Sequence, residues 1–133
     1  MNAVLLDRYL RSWRHRPFAW GEADCVRVAA GWVALVTGHD PVASTVGHYA
    51  GCREALRLMV ATTGTADLPA ATSVILGPPL ESPLAARLGD VVAITTPAGP
   101  ALGLCAGAEV AASGPGGLVA RPLTSIIAAW RIY

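Results

Sequence analysis

The chain contains no lysine; its ten basic residues other than histidine are all arginines. Charge of either sign is scarce, with 14% Asp, Glu, Lys and Arg together and a formal net charge of +1. So weak a field gives no electrostatic reason to expect nucleic acid or a membrane surface as a partner. The exclusive use of arginine amid so much alanine, glycine and proline points to GC-rich coding more than to a physical requirement. Long apolar runs are also missing, although 53% of the residues are hydrophobic. The longest, Val26 to Val36, is interrupted by Arg27 and falls short of the roughly 18 residues a membrane span needs. Cysteines are few: Cys25, Cys52 and Cys105. They form no C-x-x-C pair and no ligand-like spacing with histidine, so a metal site is not expected and free thiols in a reducing compartment are. Arginines follow the first apolar residues and no signal-cleavage pattern is seen, so synthesis in a cytoplasm without a signal peptide is the expectation.

What is present centres on Pro17-Phe18-Ala19-Trp20-Gly21-Glu22-Ala23-Asp24-Cys25, followed by an apolar helix-length run. Helix starts carry unpaired N–H groups and a positive dipole end, which favour a thiolate and hence a cysteine nucleophile. The opposing reading is a buried, inert Cys25. Asp24 reads as the N-cap of that helix, and Gly38 as its left-handed terminator.

Around this stretch the spacing predicts a single domain over 1–133, helical over about 3–76 and sheet over about 89–133. Helix one spans 3–14, with Val4, Leu5, Tyr9, Leu10 and Trp13 inward. Helix two spans 24–37, with Cys25, Val28, Ala29, Trp32 and Val36 inward. A connector with a short helical turn covers 42–50. Helices over 51–63 (Ala55, Leu58 and Met59 inward) and 67–76 follow, then a loop or single turn over 81–88. Strands are expected at 91–95, 101–106, 108–112, 117–121 and 128–132. Helices first and strands afterwards imply an α+β fold with the helices gathered on an antiparallel sheet of about five strands. Arg8, Arg11, Arg14, His15 and Arg16 read as a solvated helix face. Trp20, Trp32 and Trp130 read as core or pocket walls, while Trp13 and Phe18, with arginines nearby, are candidate binding residues together with Trp20.

Three motifs occur in a telling order: Trp20-Gly21-x-x-Asp24-Cys25, Leu88-Gly89-Asp90-Val91-Val92, and Ala101-Leu102-Gly103-Leu104-Cys105-Ala106-Gly107. Together they resemble the NlpC-type cell-wall peptidases of the papain-like superfamily. That resemblance implies a papain-like fold, with the nucleophile position at Cys25 and the strand-histidine position at Ala101. Alanine accepts no proton, and His15, His39 and His48 all precede the sheet. A Cys–His mechanism needs its base within hydrogen-bond reach of the sulfur. The chain is also similar to small phage-encoded proteins of tail modules that keep these motifs and lack the strand histidine. This implies a non-catalytic structural or assembly component of a phage tail tip, in the virion, with hub, distal-tail and tail-tip proteins as partners and no cofactor. The alternative is a cysteine endopeptidase or amidase acting on peptidoglycan through Cys25.

Along a strand alternate residues share a face, so Ala101, Gly103 and Cys105 are expected to point one way. If that way is towards helix two, small residues and a second thiol would pack Cys25. Burial can shift a thiol by about 3–5 pKa units, whereas a helix terminus contributes about 0.3–1 kcal/mol, under one unit. Burial should win, leaving Cys25 unreactive. Asp90 is expected to fix the turn into its strand.

Overall fold

The computed structural model describes residues 2–45 and 48–133. α1 (Ala3–Trp13) starts at Asn2, whose side-chain oxygen accepts from the N–H groups of Val4 and Leu5. Its buried stripe runs through Leu6, with Tyr9, Leu10 and Trp13 packed beside it. That is the i, i+3, i+4, i+7 pattern counted from Leu6, which turns Val4 outward to 65% exposure against the expectation for that residue. The basic residues from Arg8 to Arg16 are exposed as anticipated.

α2 (Cys25–Thr37) is capped by Asp24 and closed by Gly38 at φ 82°. It is the central helix, with Val28, Ala29, Trp32 and Val33 in the main core. A 3-10 turn at 43–45 precedes α3 (Cys52–Thr63), which Gly64 terminates at the same left-handed φ. α4 (Leu68–Leu76) is capped by the Asp67 side chain and carries Pro69 in its first turn, where a missing N–H costs nothing.

Five strands follow: β1 (Val91–Thr96), β2 (Gly99–Cys105), β3 (Val110–Gly114), β4 (Gly117–Arg121) and β5 (Ile126–Trp130). They form one sheet in the order β4-β3-β2-β1-β5, with every neighbouring pair antiparallel. The α+β reading with N-terminal helices and a C-terminal antiparallel sheet therefore holds. Boundaries move by about two residues: β2 starts at Gly99 and β5 covers 126–130, not 128–132. Pro100 is tolerated in β2 because β3 reaches only as far as Gly103 there, leaving the start of β2 an edge.

Both faces of the sheet are covered. Val91, Ala93, Leu102, Leu104 and Trp130 face the helices, where the Trp32 indole donates to the Gly89 carbonyl at 2.8 Å. Val92, Ile94, Cys105, Val110, Ala112 and Ala129 face away, under Leu80 and Ala86. The Leu80 N–H anchors that covering segment on the Ala129 carbonyl at 2.8 Å. Ala101 and Cys105 thus lie on the face remote from α2, correcting the expectation that Cys105 packs against Cys25. The parity of β2 is set by its branched residues, since Leu102 and Leu104 fill the larger core.

Glycines mark close approaches in the sheet. A Cβ on Gly103 would strike the Val110 side chain and the Ala111 carbonyl, and one on Gly117 would strike the Arg14 carbonyl. At the latter point the Leu118 N–H donates to the same carbonyl at 3.1 Å, joining the end of α1 to β4. Asp90 does fix its turn, accepting from the Arg87 N–H at 2.8 Å. It is fully buried and also receives the Arg131 guanidinium at 2.9 and 3.2 Å.

Candidate functional site

The segment before α2 folds into a tight loop in which Gly21 takes φ 78° and Ala19 bridges to Ala23. The loop aims the Asp24 carboxylate inward, where it is only 2% exposed. One oxygen accepts from the Arg27 N–H at 2.8 Å, which is the anticipated cap. The other accepts from the Gly21 N–H at 2.9 Å and the Tyr49 hydroxyl at 2.5 Å. Burial, reinforced by donation to this carboxylate, pushes the Tyr49 hydroxyl well above the usual phenol range. Asp24 is therefore a three-way tie between loop, helix and connector.

One turn into α2, Arg27 is also buried and reaches Asp40 at 2.6 Å and the Val42 carbonyl at 3.3 Å. This pair holds the connector after α2 against the helix and so brings Tyr49 to Asp24.

Cys25 is half-buried at the first position of α2. Burial pushes its thiol up to about 11, and the Asp24 charge acts in the same direction. Backbone N–H groups of Leu102, Val26 and Cys25 itself pull the other way without reversing the shift. Burial wins over the helix start, as expected from the relative magnitudes. Ala101, expected at the strand-histidine position, points away from the sulfur because alternation in β2 turns Leu102 to that face, and Leu102 offers the sulfur only backbone. His15, His39 and His48 are exposed, and none of them lines the cavity that Cys25 borders. Among the described residues, no group of three or more His, Cys, Asp and Glu could hold a metal ion.

That cavity measures about 460 Å³. Its walls come from α2 (Ala29, Ala30, Val33), α3 (Ala55, Leu58, Met59), α4 (Ala71, Ile75) and the start of β2 (Pro100, Leu102), with Trp20, Asp24, Cys25 and Tyr49 at one side. α3 roofs it and has no fully buried residue of its own. The space opens to solvent and its walls are predominantly apolar.

A model of one protein family matches residues 3–132, nearly the whole chain; its description is a domain of unknown function, DUF6950. The chain belongs to the DUF6950 family. No curated protein and no solved structure matches it.

The aromatic candidates of this DUF6950 domain separate. Phe18 and Trp20 meet edge to face at 4.9 Å, and Trp20, 39% exposed, lines the cavity. Trp13 instead packs beside the core, tilted against Tyr9 at 6.3 Å and covered by the Arg16 guanidinium at 3.9 Å. Sequence reasoning missed Tyr49, Arg27 and the cavity itself. The one signal for the cavity was the run of small residues on α2, which lets another element come close but leaves room where none does.

Proposed function

We propose that this chain is a non-catalytic NlpC-like domain that serves as an assembly component of a phage tail tip, docking on hub and distal-tail proteins. The observation that carries the non-catalytic part is the setting of Cys25: a thiol pushed up to about 11, with Leu102 where a base would stand and Asp24 committed to three donors. At neutral pH such a sulfur is protonated, and among the described residues no imidazole borders its cavity to take the proton or return one to a leaving amine. The tail placement is supported by the motif order from Trp20 to Gly107, which is similar to that of histidine-less tail-module proteins.

Two measurements test the two halves. Purified muropeptides incubated with wild type and Cys25→Ala are expected to remain intact in both; cleavage that disappears in Cys25→Ala would overturn the inert reading and establish a peptidoglycan hydrolase. Peptide mass spectrometry of purified virions is expected to find the chain in stoichiometric amount with tail proteins. Its absence from virions would overturn the tail role.

A further inference from the structure

We infer that the cavity beside Cys25 is a binding site for an uncharged, largely hydrocarbon small molecule. The inference goes beyond the docking role and stands whether or not the chain is part of a tail. Size comes first: 460 Å³ lies within the range of ligand pockets. It is roughly three times the apolar cavity of ~150 Å³ that accepts one benzene.

Chemistry follows from what the walls still offer. Among the described residues no Lys, Arg or His lines the cavity, so an anionic head finds no counter-charge, and the Asp24 carboxylate at its side repels one. Of the lining hydroxyls, that of Thr62 belongs to an exposed residue and the other four already donate within the fold. Tyr49 donates to Asp24, Thr45 to the Val42 carbonyl, Thr63 to Met59 and Thr72 to Leu68. A sugar or peptide placed here would lose its hydrogen bonds to water and regain few, a cost of about 1–3 kcal/mol per group. An aliphatic or aromatic body has nothing to lose and gains contact with Ala30, Val33, Leu58 and Met59. The roof is suited to such a guest because α3 carries its apolar face over the space with no fully buried residue, and the Met59 side chain adapts to irregular shapes.

The test uses the full chain and the neutral fluorophore N-phenylnaphthylamine. Titration is expected to give a saturable emission rise at one site per chain and an increased melting temperature. Dodecanol should displace the dye, and dodecanoate should do so at least about tenfold less well, the usual discrimination against a charge without a partner. Ala55→Phe, which projects a ring into the cavity from the roof, should abolish saturable binding while keeping the far-UV spectrum of wild type. If that variant does not fold, Leu58→Trp serves in its place. Absence of saturable binding, undiminished binding in a folded filling variant, or equal competition by dodecanoate would each overturn the inference. None of these readouts involves bond cleavage, so their failure leaves the reading of Cys25 as non-catalytic standing.

Discussion

The ionisation of Cys25 gives a quantitative expectation for its reactivity. At pH 8 a thiol of ordinary pKa 9.0 is about one-eleventh thiolate, and one at about 11 is thiolate roughly once in a thousand molecules, about ninety times less. The more basic sulfur is intrinsically the better nucleophile; with a Brønsted slope of about 0.4–0.5, two units restore about six- to tenfold. Ionisation alone should therefore slow thiol–disulfide exchange by roughly ten- to fifteenfold, and partial burial should slow it further. A Cys52→Ser variant isolates the effect, since Cys105 is 2% exposed and Cys52 is the exposed thiol. Its reaction with Ellman's reagent at pH 8 would be compared with that of the same chain unfolded in urea. Folded Cys25 is expected to lag by at least ten- to fifteenfold, and its rate to climb about tenfold per pH unit without levelling before pH 10. A rate that levels below pH 9, or labelling as fast in the folded as in the unfolded chain, would refute the reasoning.

Further expectations concern the scaffold. Gly31→Ala should destabilise by about 1–2 kcal/mol in urea melts: the new Cβ meets the Tyr9 hydroxyl, which donates to the Val28 carbonyl, and overpacking outweighs the helix preference of alanine. The penalty should shrink in a Tyr9→Phe background. Asp24→Ala should cost about 2–4 kcal/mol, a lost cap plus a buried Tyr49 hydroxyl left without its acceptor, and Tyr49→Phe should cost visibly less. Arg131→Met should lower the urea midpoint by removing the guanidinium from the buried Asp90, with partial recovery on adding Asp90→Asn. Stability should fall in alkali. Burial raises Cys25 from 9.0 to about 11 and Tyr9 from 10.0 to about 12, so the protonated forms are favoured in the fold. Their contribution is complete below pH 9 and is lost as pH climbs through 9–12, by at most about 2–3 kcal/mol for each group. Melts from pH 8 to 11 should show the decline, and Cys25→Ala should flatten its lower part.

Local features were legible in the sequence because their causes are local. Asn2, Asp24 and Asp67 cap helices through their own side chains, and Gly38 and Gly64 end them by adopting a conformation that other residues resist. The step from helices to strands at Gly89-Asp90 was visible for the same reason. What escaped depends on distant partners. Arg27 looked like an interruption of an apolar run, yet Asp40 and the Val42 carbonyl make its burial tolerable. Which face of β2 meets α2 was decided by the competition of Leu102 and Leu104 with Ala101 and Cys105 for the larger core, and alternation alone does not say which set wins. The role of Tyr49 requires the connector after α2 to return to Asp24 at the start of that helix. In the site, the cysteine, its cap and the lack of a histidine were readable; the apolar space beside them was not, because space has no residue of its own.

The crossing of Gly117 on the carbonyl of Arg14 bears on how the chain comes off the ribosome. The strand pinned to the end of the first helix is translated about a hundred residues after that helix. At about 5–20 residues per second the wait is roughly 5–20 seconds. Through that interval α2 already offers Val28 and Trp32 to the apolar stripe of the first helix, while the end of that helix lacks its strand. A chain truncated before Gly117 should therefore keep the first helix on α2 but leave its last turn unanchored, which faster amide exchange there would show.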